Sequence, residues 1–144
     1  MTYLSPHFTL DELTLSQTAA RMGIDNTPTA AALAALQRTA LGLEAVRMRL
    51  GGGPIGVSSG YRCLTLNRAI GSKDGSQHVL GEAADFTAPR FGSPRQIVDA
   101  LVDSDVPYDQ LILEFGRWVH ISFATQPRRT AFAIDRDGVG PLTA

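Results

Sequence analysis

Gln110-Leu111-Ile112-Leu113-Glu114-Phe115-Gly116-Arg117-Trp118-Val119-His120-Ile121-Ser122-Phe123 is the stretch that decides the fold of this chain. Two strand-like runs, Gln110 to Phe115 and Val119 to Phe123, flank a glycine-containing turn. Side chains alternate along a strand, so Val119, Ile121 and Phe123 share one face, and His120 and Ser122 take the other. In the first run Leu111, Leu113 and Phe115 share a face, opposite Ile112 and Glu114. A two-residue turn, Gly116-Arg117, would set Leu113 against His120 and Glu114 against Val119, mixing apolar and polar faces. A three-residue turn, Gly116-Arg117-Trp118, pairs Phe115 with Val119 and Glu114 with His120. A one-residue slip moves every side chain to the wrong face, so the second register is expected. It predicts Glu114 beside His120, on the face turned away from the core.

Helical signals come earlier in the chain. Thr9-Leu10-Asp11-Glu12 reads as a capping box opening a short helix. Thr27-Pro28 offers an N-cap followed by proline at the first helical position. Leu33, Leu36, Ala40, Leu43, Val46 and Leu50 then recur at spacings of three and four, one apolar stripe of an amphipathic helix. Gly51-Gly52-Gly53-Pro54 stops that helix; no Gly-Lys-Ser/Thr follows, so the glycines are not a phosphate loop. Ile55 to Ser58 and Ala83 to Thr87 are expected strands, Cys63 to Ile70 a short helix, and Gly71 to Gln77 a loop. Another helix opens at Ser93-Pro94 and ends near Ser104, and a last strand covers Thr130 to Ile134. Helices first and clustered strands last predict an α+β domain over 1–144, a small antiparallel sheet flanked by helices. The tail from Asp135 to Ala144 is expected to be loosely held.

Composition narrows the function. The 144 residues suit one domain with one core, and 44% apolar against 19% charged residues is ordinary for a globular chain. Net charge is −1 and no basic stripe interleaves with aromatics, so nucleic acid is not an expected partner. Cys63 is the single cysteine, which excludes an internal disulfide and any multi-thiolate zinc site. A metal here must be held by imidazoles and carboxylates. Met1 to His7 lacks a basic and an apolar leader segment, and no apolar run approaches the ~20 residues of a membrane span. The expectation is a chain made in the cytoplasm without a signal peptide, not membrane-bound, and monomeric.

Such donors exist. His78 sits in a glycine-containing loop, Asp85 in the strand that follows, and His120 in the hairpin. Two imidazoles and one carboxylate are a common protein set for a catalytic zinc, with a fourth position left for water. By spacing alone, a loop histidine at His78 and a turn or capping aspartate at Asp85 are the better reading. A carboxylate within reach of a metal-acidified water can take its proton and pass it to a leaving amine. Glu114 is the best candidate for that role; Glu82 alternates away from Asp85, and Asp109 is a possible substitute. Arg62, after Ser58-Ser59-Gly60-Tyr61, either grips a peptide oxygen or makes a structural ion pair. Ser76 either contacts substrate or caps its loop, and Trp118 either walls the site or closes the turn. Cys63 is read as a small packing residue next to the site, and His7 as a residue that caps or packs.

Taken together, Ser59-Gly60-Tyr61-Arg62, then Ser76-x-His78-x-x-Gly81-x-Ala83-x-Asp85, then Trp118-x-His120, resembles the M15 peptidase family, roughly from His7 to Phe123. The family's members include D-alanyl-D-alanine carboxypeptidases and dipeptidases and phage endolysins that cut L-alanyl-D-glutamate bonds, and its fold is shared with the Hedgehog signalling domain. The resemblance implies one zinc ion on His78, Asp85 and His120, with Arg62 and Ser76 as substrate or transition-state contacts. Several members carry an acid three residues before the last histidine, where this chain has Arg117; the Hedgehog-like arrangement has a glutamate six residues before it, which matches Glu114. The implied substrate is the peptidoglycan stem peptide. The small size looks like the single-domain subgroup of phages and prophages, acting on the wall after release. The expected activity is endopeptidase; the alternatives are a D-alanyl-D-alanine carboxypeptidase or dipeptidase, and a zinc-bearing binding module without turnover.

Overall fold

The computed structural model describes residues 1–142. The elements run β1 (Tyr3–Ser5), β2 (Phe8–Thr9), α1 (Leu10–Thr14), α2 (Gln17–Met22), α3 (Ala30–Arg49), β3 (Gly56–Ser59), α4 (Leu64–Ala69), β4 (Ala83–Thr87), α5 (Pro94–Val102), β5 (Gln110–Glu114), β6 (Trp118–Ser122), β7 (Thr130–Asp135) and β8 (Gly138–Gly140). β1 and β2 form a small antiparallel ribbon. The other strands form a six-stranded sheet in the order β3-β4-β6-β5-β7-β8. The class is α+β, as expected.

Local chemistry sets the helix starts. The Thr9 hydroxyl accepts from the Glu12 N–H at 3.2 Å, and the Thr9 N–H donates to Glu12 Oε1 at 2.8 Å, so the expected capping box closes. Ser93 and Gln96 form a second box that spans Pro94. The long helix begins two residues later than the Thr27-Pro28 reading placed it: Thr29 is the N-cap, accepting from Ala32 N–H. Thr27 is turned back instead, its N–H and hydroxyl both bonded to Asp25 Oδ1, at 3.0 and 2.6 Å. A short aspartate-led turn thus competes with and displaces the cap.

One face of the sheet is the core. Leu36, Leu43 and Val46 of α3 and Ile97 and Leu101 of α5 pack on Phe86, Leu111, Val119 and Ile121, all fully buried. Leu33, at the N-terminal end of the predicted stripe, is only partly buried. The Phe123 ring lies against Gly42, where a Cβ would overlap it. The opposite face carries Asp85, His120, Ile112 and Glu114, the alternation that the hairpin sequence predicts.

Three further expectations are corrected. The β5–β6 turn is Phe115-Gly116-Arg117, and the partners are Glu114 with Trp118 and Ile112 with His120, not Glu114 with His120. Phe115 and Gly116 both take positive φ, 56° and 66°, and Arg117 N–H closes the turn on the Glu114 carbonyl at 3.0 Å. The Phe115 N–H is meanwhile held by Ile134 O on β7 at 2.7 Å. An aromatic residue in the left-handed region is uncommon, so the turn reads as starting at the glycine. The shift is by two positions in the pairing, so the faces are preserved. Secondly, the large sheet is mixed: β5 and β7 run parallel. The segment after β6 passes the start of β5 and is pinned there by buried Asp109, which accepts from the Arg128 backbone N–H and, through both oxygens, from its guanidinium. Thirdly, the tail is not loose over its whole length. β8 pairs with β7 as the sheet edge, and Leu142 packs against the core; Thr143 and Ala144 lie outside the described residues.

Candidate metal centre and active site

Four separate segments bring the site together. β4 supplies Asp85, β6 supplies His120, β5 supplies Glu114, and the turn-rich loop between α4 and β4 supplies His78. That loop is held against the body through glycines. Gly81 has φ +78° and sits so close to α3 that a Cβ would stand 2.5 Å from the Ala32 carbonyl oxygen. Its own carbonyl takes the buried Thr39 hydroxyl at 2.7 Å. Gly60 lies against the Leu13 backbone with no room for a Cβ. Both motif glycines therefore serve close backbone approach.

His78, Asp85 and His120 each offer one ligand atom, and all three atoms lie within 4.8 Å of one another. Asp85 Oδ1 is 3.3 Å from His78 Nε2 and 3.0 Å from His120 Nδ1. Tetrahedral bonds of about 2.0–2.1 Å to a central zinc imply ligand separations of roughly 3.3 Å. The protonation pattern supports the fit. His78 Nδ1 lies 2.7 Å from the Gly60 carbonyl oxygen, which can only accept, so Nδ1 carries the proton. Burial pulls the His78 pKa down, outweighing the nearby Asp85, so the ring is neutral and Nε2 bears a lone pair. That lone pair faces an Asp85 oxygen. Two acceptors opposed in a buried pocket are satisfied by a cation between them, and the Gly60 carbonyl then orients the imidazole from behind. Burial by itself would raise the Asp85 carboxyl; the hydrogen bond with His120 leads the opposing effects and holds the carboxyl well below its usual range.

The remaining predicted residues lie around a cleft of about 530 Å³ that includes the three donors. Glu114 Oε1 is 3.8 Å from His120 Nδ1, diagonal to it across the hairpin. Burial first, and then the Asp85 charge, raise the Glu114 pKa, against the opposing pull of His120, Trp118 and Arg62. Arg62 points into the cleft, is held by Asn67 Oδ1 at 3.1 Å and Ser59 Oγ at 3.3 Å, and forms no ion pair among the described residues. Ser76 lines the cleft, and its hydroxyl also accepts from the His78 N–H at 3.2 Å. Trp118 forms one wall, its ring 5.5 Å from that of Phe115.

Asp109 does not substitute for Glu114: it is 2% exposed and saturated by Arg128 and Gln77. Glu82 pairs with Arg38. His7 pairs with Glu44 at 2.7 Å rather than capping or packing, and Cys63 packs against the core as expected and also caps α4. The sequence reading missed Asn67, fully buried, which orients Arg62 and also donates to the Lys73 carbonyl at 2.7 Å. Nothing local marks it, since an asparagine on a six-residue helix is unremarkable until its partners are known.

A buried His-Asp-His cluster opposed by a half-buried carboxylate and an arginine is the arrangement of a metal-dependent hydrolase centre. Comparison with known proteins places it more narrowly: the Peptidase M15 family matches residues 6–122, and the chain belongs to that family. It is also 40% identical, over 50 residues, to the zinc D-Ala-D-Ala carboxypeptidase of Streptomyces albus G. That match covers 35% of this chain and 20% of the relative, so the chain spans about a fifth of the length of the curated relative it matches.

Proposed function

We propose that the chain is a zinc peptidase that hydrolyses bonds in the stem peptides of bacterial peptidoglycan, as an endopeptidase of the endolysin type. The observation that carries this reading is the opposed pair of acceptors, His78 Nε2 and Asp85 Oδ1, at 3.3 Å beside His120 and on the same sheet face as Glu114. His78, Asp85 and His120 would hold the metal, and a donor set of two nitrogens and one carboxylate oxygen suits zinc. When bound, zinc supplies Lewis acidity for the scissile carbonyl and for a water. Glu114, with its proton affinity raised by burial, takes the proton of the attacking water and returns it to the leaving amine. Arg62, its guanidinium fixed by Asn67 and Ser59, binds the substrate carbonyl and stabilises negative charge growing on its oxygen. Ser76 and Trp118 bound the substrate on either side.

The likeness to the Streptomyces carboxypeptidase favours a second reading, a carboxypeptidase acting on D-Ala-D-Ala, in which Arg62 binds the free terminal carboxylate. A binding module without turnover would keep the metal and need no Glu114. The proposed setting is the cell wall, reached after release from the cell by a phage- or prophage-encoded monomer. Among the described residues no helix is long and apolar enough to cross a membrane.

The test is mass spectrometry of purified peptidoglycan incubated with zinc-loaded protein, with Glu114→Gln in parallel. Internal stem-peptide cleavage by the wild type is expected, with the variant slower by about 10²–10⁴-fold at equal zinc content. Release of terminal D-alanine alone would replace the endopeptidase reading by the carboxypeptidase one. No product from metal-loaded protein on several wall types would leave the binding module.

A further inference from the structure

The face that carries the centre does not end at the centre. Two rows of side chains run side by side across the strands. One passes from Asp85 on β4 through His120 and Ile112 to Phe132 on β7. The other passes from Trp118 through Glu114 and Ile134 to Val139 on β8. The first half of each row is the chemistry; the second half is apolar. Phe132 and Ile134 are partly exposed, and Val139 is 74% exposed at the sheet edge. Adjoining strands lie about 4.8 Å apart, so the shelf reaches about 10 Å beyond Glu114, or roughly three residues of extended peptide at about 3.3 Å each.

This shelf floors a second cleft of about 600 Å³, which shares Ser72, Ser76 and His120 with the cleft around the metal donors. At the opposite end the central cleft continues past Arg62 and Ile70 into a third hollow of about 520 Å³ over β3 and the start of α2. The trough is thus open at both ends of the catalytic group. Lys73, exposed on the rim of the shelf, forms no ion pair among the described residues and matches a peptide bearing free carboxylates. A site for a terminal dipeptide has no use for ten ångströms or so of apolar floor on the far side of its base.

The geometry points to the β7–β8 hairpin as the specificity-determining surface of this enzyme: Phe132, Ile134 and Val139 bind the arm of an extended stem peptide that continues beyond the scissile bond. The proposal rests on the peptidase reading for the identity of the peptide. It assigns a role to the chain's last strands, which lie after the residues matched by the family. The substrate class that follows is a peptide with several residues on the shelf side of the cut bond.

Zinc-loaded, full-length Glu114→Gln protein is titrated with a stem dipeptide and a stem pentapeptide, alone and combined with Phe132→Ser or Val139→Ser. Affinity is read by calorimetry and contact by amide NMR shifts. The pentapeptide is expected to bind more tightly and to shift the amides of residues 132–139, which the dipeptide leaves in place. Each shelf substitution is expected to cut the pentapeptide-to-dipeptide affinity ratio about tenfold, the effect of uncovering one apolar side chain. An unchanged ratio in both variants, with thermal unfolding showing them folded, would overturn the shelf. The two ideas separate cleanly. Wall cleavage with an unchanged ratio sinks the shelf alone; a reduced ratio in a protein that cuts nothing sinks the peptidase reading alone.

Discussion

Replacing Gly81 by alanine tests whether the loop carrying His78 is held by backbone contact. Gly81 has φ +78°, and an added Cβ would lie 2.5 Å from the Ala32 carbonyl oxygen and 3.2 Å from its carbon. Two costs follow. Left-handed backbone with a Cβ costs about 1–2 kcal/mol. Forcing a helix backbone away from an overpacked contact costs about 1–3 kcal/mol more. Gly71 isolates the first cost, because it has φ +82° and nothing within 4 Å of a built Cβ. Gly71→Ala should therefore lose about 1 kcal/mol, and Gly81→Ala about 3 kcal/mol. At the roughly 4 °C per kcal/mol of a domain this size, the Tm difference between the two variants is about 8 °C. The assay is urea and thermal unfolding of metal-free protein, so that altered zinc affinity does not enter. Equal losses in the two variants would refute the claim that α3 and the loop meet at Gly81.

Metal dependence and acid stability provide further tests. Adding zinc to the wild type should raise Tm, and His78→Ala should lose most of that rise together with stoichiometric zinc by elemental analysis; an undiminished rise would place the metal elsewhere. Asp109→Asn should lose about 2 kcal/mol near neutral pH, because the carboxylate holds Gln77 and three donors of Arg128. The sign with pH is fixed: the Arg128 hydrogen bonds hold the folded Asp109 pKa below its unfolded value of about 3.9, so its stabilisation is complete above about pH 5 and fades as pH falls through the folded pKa. The gap between wild type and variant, measured by urea unfolding from about pH 6 down to about pH 2, should narrow; a gap that widens on acidification would contradict it.

The hairpin shows how far reading the sequence reaches. Alternation placed Glu114 and His120 on the face away from the core, and they are there, because side-chain direction along a strand is a property of the strand itself. The pairing of Glu114 with His120 failed because it depends on the turn, and the turn depends on β7. Phe115 takes its left-handed conformation while its N–H is held by Ile134, a residue nineteen positions later. The parallel β5–β7 pair was hidden for a similar reason. Asp109 looks like any polar residue before a strand until Arg128 closes on it.

By itself, then, the sequence determined what short-range forces decide: where helices start at Thr9 and Ser93, which faces of β5 and β6 are apolar, and which residue types can bind a metal. Only the tertiary structure decided that His78 keeps its proton on the side of the Gly60 carbonyl, that Asp85 meets both imidazoles, and that the last two strands extend the trough. Those contacts join residues 18 and 35 positions apart, at Gly60–His78 and Asp85–His120. Caps and alternation act over a few residues, whereas a metal centre needs several distant segments to converge to within a few ångströms, which the packed core alone enforces.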